Sequence, residues 1–233
     1  MCSSDLILRK LAFKFLAEAE KGALKGSSQA EEFRQAFLSS YSTAAALVER
    51  CVQLCPVFTV TGNADISNSD TRKFARQFGI ELPLLYDRLT AINNLRIIDN
   101  RLAVFRGIRI GGVRYFTDMS WAEEFGLSGI EKIRQRALKE SRKAEDILNR
   151  FGRVDILITH IPPYGFLDIV NSTTTPPSWN GRHAGSRTVL EYIIRHQPHY
   201  VFCGHIHEGE GMVKIGESEV YNLGKGGSQV IEL

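Results

Sequence analysis

Val201-Phe202-Cys203-Gly204-His205-Ile206-His207-Glu208-Gly209 is the stretch from which the rest of the chain can be read. Tyr200 to Cys203 is a short apolar run of the kind that forms a buried strand. The run stops at a glycine, and two histidines follow with one residue between them. An i, i+2 pair just past a strand end can turn two imidazoles toward one point. Neutral imidazole is the commonest metal ligand in proteins. Taken alone, the pair reads better as surface or capping histidines than as ligands, so its meaning depends on what the other strands end in.

Composition sets the frame. The 233 residues fit one large α/β domain, and 43% hydrophobic with 24% charged residues is ordinary for a soluble globular chain. The net charge of +3 is spread along the sequence, which calls for neither a nucleic-acid backbone nor a membrane surface. No apolar run is long enough to span a bilayer, and Met1-Cys2-Ser3-Ser4 does not open a signal peptide, so a cytoplasmic location is expected. The four cysteines contain no C-x-x-C and read as small apolar residues. All six histidines (His160, His183, His196, His199, His205 and His207) fall in the last third of the chain.

In chain order, Ser4 or Asp5 caps a helical stripe over Leu6 to Lys21. Ser28-Gln29-Ala30-Glu31 is a capping-box pattern that opens a second helix to about Leu54, before Pro56. Val57 to Val60 is β-branched and aromatic, which predicts a buried strand running into Thr61-Gly62-Asn63. A short helix over Asp70 to Gln77 stops at Gly79. Leu95 to Ile98 is expected to turn at Asp99-Asn100 into Leu102 to Phe105, with a further strand over Ile108 to Phe116. Thr117 to Leu127 reads as a loop. Ser128-Gly129-Ile130-Glu131 is a second capping box, before an amphipathic helix closed by Gly152. Val154 to Thr159 reads as a buried strand ending at His160-Ile161-Pro162-Pro163. Ser186 is the expected N-cap of a helix over Arg187 to His196. Strands at Met212 to Ile215, Glu219 to Asn222 and Gln229 to Glu232 complete the pattern.

Three predicted strands therefore end in ligand-capable groups: Val60 before Gly62-Asn63, Thr159 before His160, and Cys203 before Gly204-His205-Ile206-His207. In α/β sheets, sites form beyond the carboxyl ends of strands. One amide oxygen and three imidazoles gathered there suit a transition-metal ion such as Zn, Mn or Fe.

The ordered set T-G-N, T-H-x-P-P and G-H-x-H, with Gly181-Arg182-His183-Ala184-Gly185-Ser186 before the last helix, resembles the calcineurin-like metallophosphoesterases from about Val57 onward. It looks closest to their small bacterial and archaeal branch. The resemblance implies an α/β fold, a sandwich of two mixed β-sheets flanked by helices, as a single domain over 1–233 with a divergent segment 1–56. It also implies a two-metal site in which a bridging water attacks phosphorus. Asn63, His160 and His205 would share one ion, and His207 would help hold the other.

The chain departs from that pattern in its amino-terminal part, which reads as shortened or rearranged. The nearest match to the first motif, D-x-H, is Asp5-Leu6-Ile7. Asp5 fits as a ligand, or as a helix cap, and isoleucine cannot ligate. Between Lys21 and Pro56 there is no Gly-Asp to supply a bridging carboxylate. Ala64 stands where a histidine or cysteine usually follows the asparagine. Two dications about 4 Å apart repel unless anions lie between them, so one divalent ion is expected rather than two.

Arg182 and His183 precede a helix N-terminus and are candidate contacts to a phosphate. The expected function is metal-dependent hydrolysis of a small phosphomonoester or phosphodiester. The alternative is an inactive scaffold on a decayed phosphoesterase fold. The weak net charge argues against a nuclease. Loss of a strand would leave sheet edges that invite pairing with a second copy.

Overall fold

The computed structural model describes residues 28–63, 65, 67–173 and 175–232. The expected helix at Leu6 to Lys21, and with it Asp5 and Ile7, lies outside the described residues, as does Ala64. The chain divides into two compact units. One holds Asn63–Ile97 and the chain up to Phe58. The other holds Thr59–Gly62 and Ile98–Leu233.

The first unit contains α1 (Ser28–Leu54), the start of β1 (Val57–Thr59), α2 (Asn68–Phe78), α3 (Leu85–Thr90) and β2 (Leu95–Ile97). Phe33 and Phe37, four apart on α1, bury one face with Ala30 and Phe78. The Phe33 and Phe78 rings stack with centroids 4.6 Å apart. Ser67 caps α2 by accepting from the Asp70 backbone N–H, and Gly79 ends it at φ +66°. β1 and β2 form a two-stranded sheet. The expected buried strand at Val57 to Val60 is thus a three-residue, half-buried one.

The second unit is built on a six-stranded mixed sheet in the order β3-β4-β5-β6-β8-β7. Its strands are β3 (Arg101–Phe105), β4 (Ile108–Val113), β5 (Ile156–Thr159), β6 (Tyr200–Cys203), β7 (Gly211–Ile215) and β8 (Ser218–Asn222). β4, β5, β6 and β8 run parallel, and β3 and β7 are antiparallel edges. The helices α4 (Met119–Glu124) and α5 (Glu131–Phe151) connect β4 to β5, and α6 (Arg187–His196) connects β5 to β6. Short 3-10 turns lie at Pro177–Trp179 and His207–Gly209. The core between sheet and helices includes Val113, Leu148, Phe151, Leu157, Ile193, Val201 and Val220, all nearly inaccessible. The α/β class with a mixed sheet flanked by helices is the one the motifs implied. No helix of the described residues is long and apolar enough to cross a membrane.

Local departures have physical causes. Asp99 does not turn a hairpin. Its carboxylate accepts from the Thr61 N–H (2.7 Å) and the Thr61 hydroxyl (2.6 Å), and β2 pairs with β1 instead of β3. The hairpin forms one strand later, where Arg106 (φ +51°) and Gly107 (φ +86°) supply the two positive-φ residues a tight two-residue turn requires. The loop expected over Thr117 to Leu127 contains α4, capped by Asp118, whose carboxylate accepts from the Ser120 N–H at 2.8 Å. The box at Ser128 to Glu131 does not close. Ile130 is the N-cap without a side-chain bond, and Glu131 accepts from Gln135 on the solvent side at 2.6 Å. The strand expected at Gln229 to Glu232 is absent among the described residues, and Val230 is 88% exposed.

Candidate active site

Four parallel strands lie side by side, and each delivers a polar or aromatic group at or just beyond its carboxyl end. Tyr115 follows β4, His160 follows β5, Gly204-His205 follows β6, and β8 ends on Asn222. This is the edge at which α/β sheets place ligands. β5 and β6 run in register from Ile156↔Tyr200 to Ile158↔Phe202, so His160 and His205 leave adjacent strands at nearly the same level. The Gly204 N–H donates to the His160 carbonyl at 3.2 Å, holding the two exits together.

The result is an imidazole pair with ring centroids 4.9 Å apart and His160 Nε2 3.1 Å from His205 Nδ1. Two nitrogens each about 2.1 Å from one ion, at angles between octahedral and tetrahedral, lie about 3.0–3.4 Å apart. The observed spacing therefore fits two ligands of a single divalent ion, and it equally allows one ring N–H to donate to the other ring. His205 holds φ +65°, a left-handed conformation that is uncommon for a residue other than glycine. The Ile206 N–H closes a three-residue turn onto the Gly204 carbonyl at 2.7 Å, with His205 at its centre. Such a turn is the rarer, strained γ-turn hand and costs about 1–3 kcal/mol.

A second wall comes from Thr61-Gly62. A Cβ at Gly62 would lie 2.5 Å from His160 Cε1 and 2.7 Å from its Nδ1, so only glycine lets the backbone come this close to the imidazole. Asp99 holds the Thr61 end of this segment, and the Thr61 carbonyl accepts from the Tyr115 N–H at 2.9 Å. The Tyr115 ring lies 5.7 Å from His160 and 5.4 Å from His205. Neither Asp99 nor Tyr115 carries a motif. Asp99-Asn100 looks like an ordinary turn, and Tyr115 looks like the tail of an apolar strand.

His183 has a different partner. Its Nδ1 lies 2.7 Å from the Oδ1 of Asp168, whose side chain is fully buried while that of His183 is 33% exposed. Asp168 Oδ2 also accepts from the Gly165 and Gly185 N–H groups, each at 3.0 Å. Arg182 is exposed and directs its guanidinium at backbone carbonyls, those of Ser178 (2.9 Å) and Glu124. His207 begins the 3-10 turn and is half-buried. Asn63 is exposed at a bend and belongs to the first unit, whereas His160, His205, His207 and His183 belong to the second. Among the described residues, no three His, Cys, Asp or Glu side chains gather as a ready ligand set. The His160–His205 pair supplies two donors, and burial pushes the adjacent Cys203 thiol up.

Below this edge the framework is tightly hydrogen-bonded. The amide of Asn222, 2% exposed, donates to the Leu167 and Ile206 carbonyls at 2.9 and 2.8 Å, tying the Asp168 loop to the His205–His207 segment. The Asp118 carboxylate accepts from the Ser120 hydroxyl at 2.7 Å and the Ser186 hydroxyl at 2.5 Å. Ser186 in turn accepts from the Val189 N–H as the N-cap of α6.

Two Caenorhabditis elegans proteins are similar in sequence. UPF0046 protein K07C11.7 is 31% identical over 50% of this chain and 35% of that protein. UPF0046 protein T07D4.2 is 36% identical over 30% of this chain and 16% of that protein. The aligned parts thus span about a third or less of these relatives' lengths. The crystal structure of TT1561 of Thermus thermophilus aligns at 15% identity with a TM-score of 0.37, covering 95% of this chain and 84% of that one. The family model for calcineurin-like phosphoesterases matches residues 26–209, a span that carries the T-G-N, T-H-x-P-P and G-H-x-H segments, and the chain belongs to that family.

Proposed function

We propose that the chain is a metal-dependent phosphoesterase that hydrolyses a small phosphomonoester or phosphodiester. The observation that carries this reading is the 3.1 Å approach of His160 Nε2 and His205 Nδ1 at the carboxyl edge of the sheet. In this reading the two imidazoles are ligands of one divalent ion (Mn, Fe or Zn), with Asn63 and His207 as further donors and Asp5 as the remaining candidate. A bound ion of this kind lowers the pKa of a water and polarises a phosphoryl oxygen. The chain's own residues do the rest. Gly62 leaves room for the His160 ring, Asp99 fixes the Thr61-Gly62 segment, and Asn222 holds the carbonyl of Ile206 between the two histidines. A cytoplasmic site of action and a small soluble substrate go with this reading, as does association of two copies through a sheet edge.

The test combines metal analysis of the purified protein with hydrolysis of bis(p-nitrophenyl) phosphate in added manganese. Bound metal and turnover, both lost in His160→Ala and in His205→Ala, are the expected outcome. No bound metal and no turnover with Mn, Fe or Zn would instead favour the scaffold reading.

A further inference from the structure

The loops beyond the parallel strands hold a second titratable group, built differently from the imidazole pair. Asp168 is fully buried, and its carboxylate has three donors: the Gly165 and Gly185 N–H groups on Oδ2 and His183 Nδ1 on Oδ1. The Gly165 and Gly185 N–H groups can only donate, and they aim the other carboxylate oxygen at the His183 ring. That oxygen fixes the imidazole with the proton on Nδ1, which makes Nε2 the exchanging nitrogen. Gly185 is part of the construction, because a Cβ there would meet Asp168 Oδ2 at 2.7 Å and the Pro163 carbonyl at 2.7 Å.

This dyad is mechanically joined to the His160–His205 edge. Pro163 and Ser186 form a bridge, and so do Ile169 and His183. Ala184, next to His183, packs in one apolar cluster with Ile206, which lies between His205 and His207. The Tyr164 ring lies 5.1 Å from the His183 ring. Its hydroxyl donates to Glu124 at 3.0 Å, and the Arg187 guanidinium sits 4.6 Å from its ring centroid. Asp168 therefore faces His183 directly, while Glu124 and Arg187 bear on it through Tyr164 and carry opposite charge. A buried carboxylate fixing one imidazole nitrogen and freeing the other is the arrangement of an acid–base group.

We propose that His183 is the proton donor to the leaving oxygen of the phosphoester, with Asp168 as its positioning residue. The inference rests on the phosphoesterase reading. As water oxygen bonds to phosphorus, the bond from phosphorus to the leaving oxygen breaks and its electron pair stays on that oxygen. The His183 Nε2 proton moves to that oxygen, and His183 is left neutral with its Nδ1 proton on the Asp168 bond. The proton lost by the attacking water passes to solvent, and His183 is reprotonated from solvent.

The discriminating measurement is the dependence on leaving group. A p-nitrophenolate departs without a proton, whereas an alkoxide needs one. With added manganese, His183→Asn should lower kcat for a methyl p-nitrophenyl phosphodiester by less than tenfold. It should lower kcat for an alkyl phosphomonoester by about 10²–10³-fold. The variant should also lose the basic limb of the pH–rate profile and keep the parent's melting temperature within a few degrees. Asp168→Asn, if folded, should show the same selectivity more weakly. Equal losses on both esters, or none, would overturn the role of His183 and leave the phosphoesterase reading standing. A parent chain that cleaves neither ester with Mn, Fe or Zn would overturn both. As a readout independent of turnover, NMR titration should place the resident proton of His183 on Nδ1. Inorganic phosphate should shift the His183 ring resonances, and unmoved resonances would count against the proposal.

Discussion

The two ends of the parallel strands are made for opposite purposes. At the amino end, polar groups close on one another. Arg109 donates its backbone N–H to Asp155 at 2.7 Å and its guanidinium to the Arg153 and Phe151 carbonyls at 3.0 and 2.8 Å. Tyr192 donates to the Gly152 carbonyl at 2.6 Å, and Gln197 caps the Ile193 and Ile194 carbonyls while accepting from the Glu217 N–H. A cleft of about 600 Å³ lies there, lined partly by Arg153, Arg195, His196 and His199. Arg195 occupies the last turn of α6, where a cation offsets the negative end of the helix, so the cleft needs no ligand to explain it. At the carboxyl end, two imidazoles are brought to 3.1 Å, a histidine is held at φ +65°, and a backbone segment lies where no Cβ fits. Strain of this kind concentrates where geometry serves something other than stability.

The most severe way to break the contrast is Gly62→Ala. The new Cβ would lie 2.5 Å from His160 Cε1, so the ring must move by about 1 Å to reach ordinary contact. A displacement of that size undoes a near-attack geometry by about 10²-fold or more. Metal content and ester hydrolysis should therefore fall nearly as far as in His160→Ala, with the fold retained by circular dichroism. If Gly62→Ala keeps full metal content and turnover, the Thr61-Gly62 segment is not a wall of the site.

The amino end should respond in stability alone. Tyr192→Phe removes one buried hydrogen bond and leaves the Gly152 carbonyl short of a donor, a loss of about 1–3 kcal/mol in denaturant unfolding. Turnover should be unchanged. Burial pushes the Tyr192 phenol up to about 12, with Arg109 opposing. The folded pKa lies above the unfolded value of about 10. This stabilising contribution is complete below pH 10 and is lost as pH rises through 12. The parent chain should lose stability across that window more steeply than Tyr192→Phe, and parallel curves would reject the assignment.

The sequence is legible where the signal is local. Ser186 precedes an apolar stripe of 3.6-residue period, and it caps α6 as expected. Val154 to Thr159 and Tyr200 to Cys203 are short apolar runs bounded by loops, and both contain adjacent parallel strands of the sheet. The register of those strands is what brings His160 and His205 together, so the imidazole pair was implicit once both strands were placed. The carboxylates that support the edge were not legible. Asp99 meets Thr61 across 38 residues, and Asp168 meets Gly185 across 17, with no periodicity linking either pair. Asp99-Asn100 and the loop around Asp168 have ordinary turn composition, which reports backbone preference and not a distant partner. α4 has only six residues, too few for a helical stripe to repeat.

The smallest expected effect is also the one that most directly tests whether the two ends differ in kind. His205 occupies a left-handed position, which asparagine tolerates better than histidine. In metal-free protein, His205→Asn should therefore be neutral to stabilising, by about 0.5–1 kcal/mol in denaturant unfolding. Metal content and turnover should fall at the same time, because an imidazole donor is gone. A core or framework residue does the reverse: its replacement costs stability, as Tyr192→Phe should. If His205→Asn is instead destabilising by about 2 kcal/mol or more, the His160–His205 contact is chiefly a hydrogen bond that holds β5 and β6 together. The carboxyl end would then be built on the same terms as the amino end, and the case for a ligand pair there would fall.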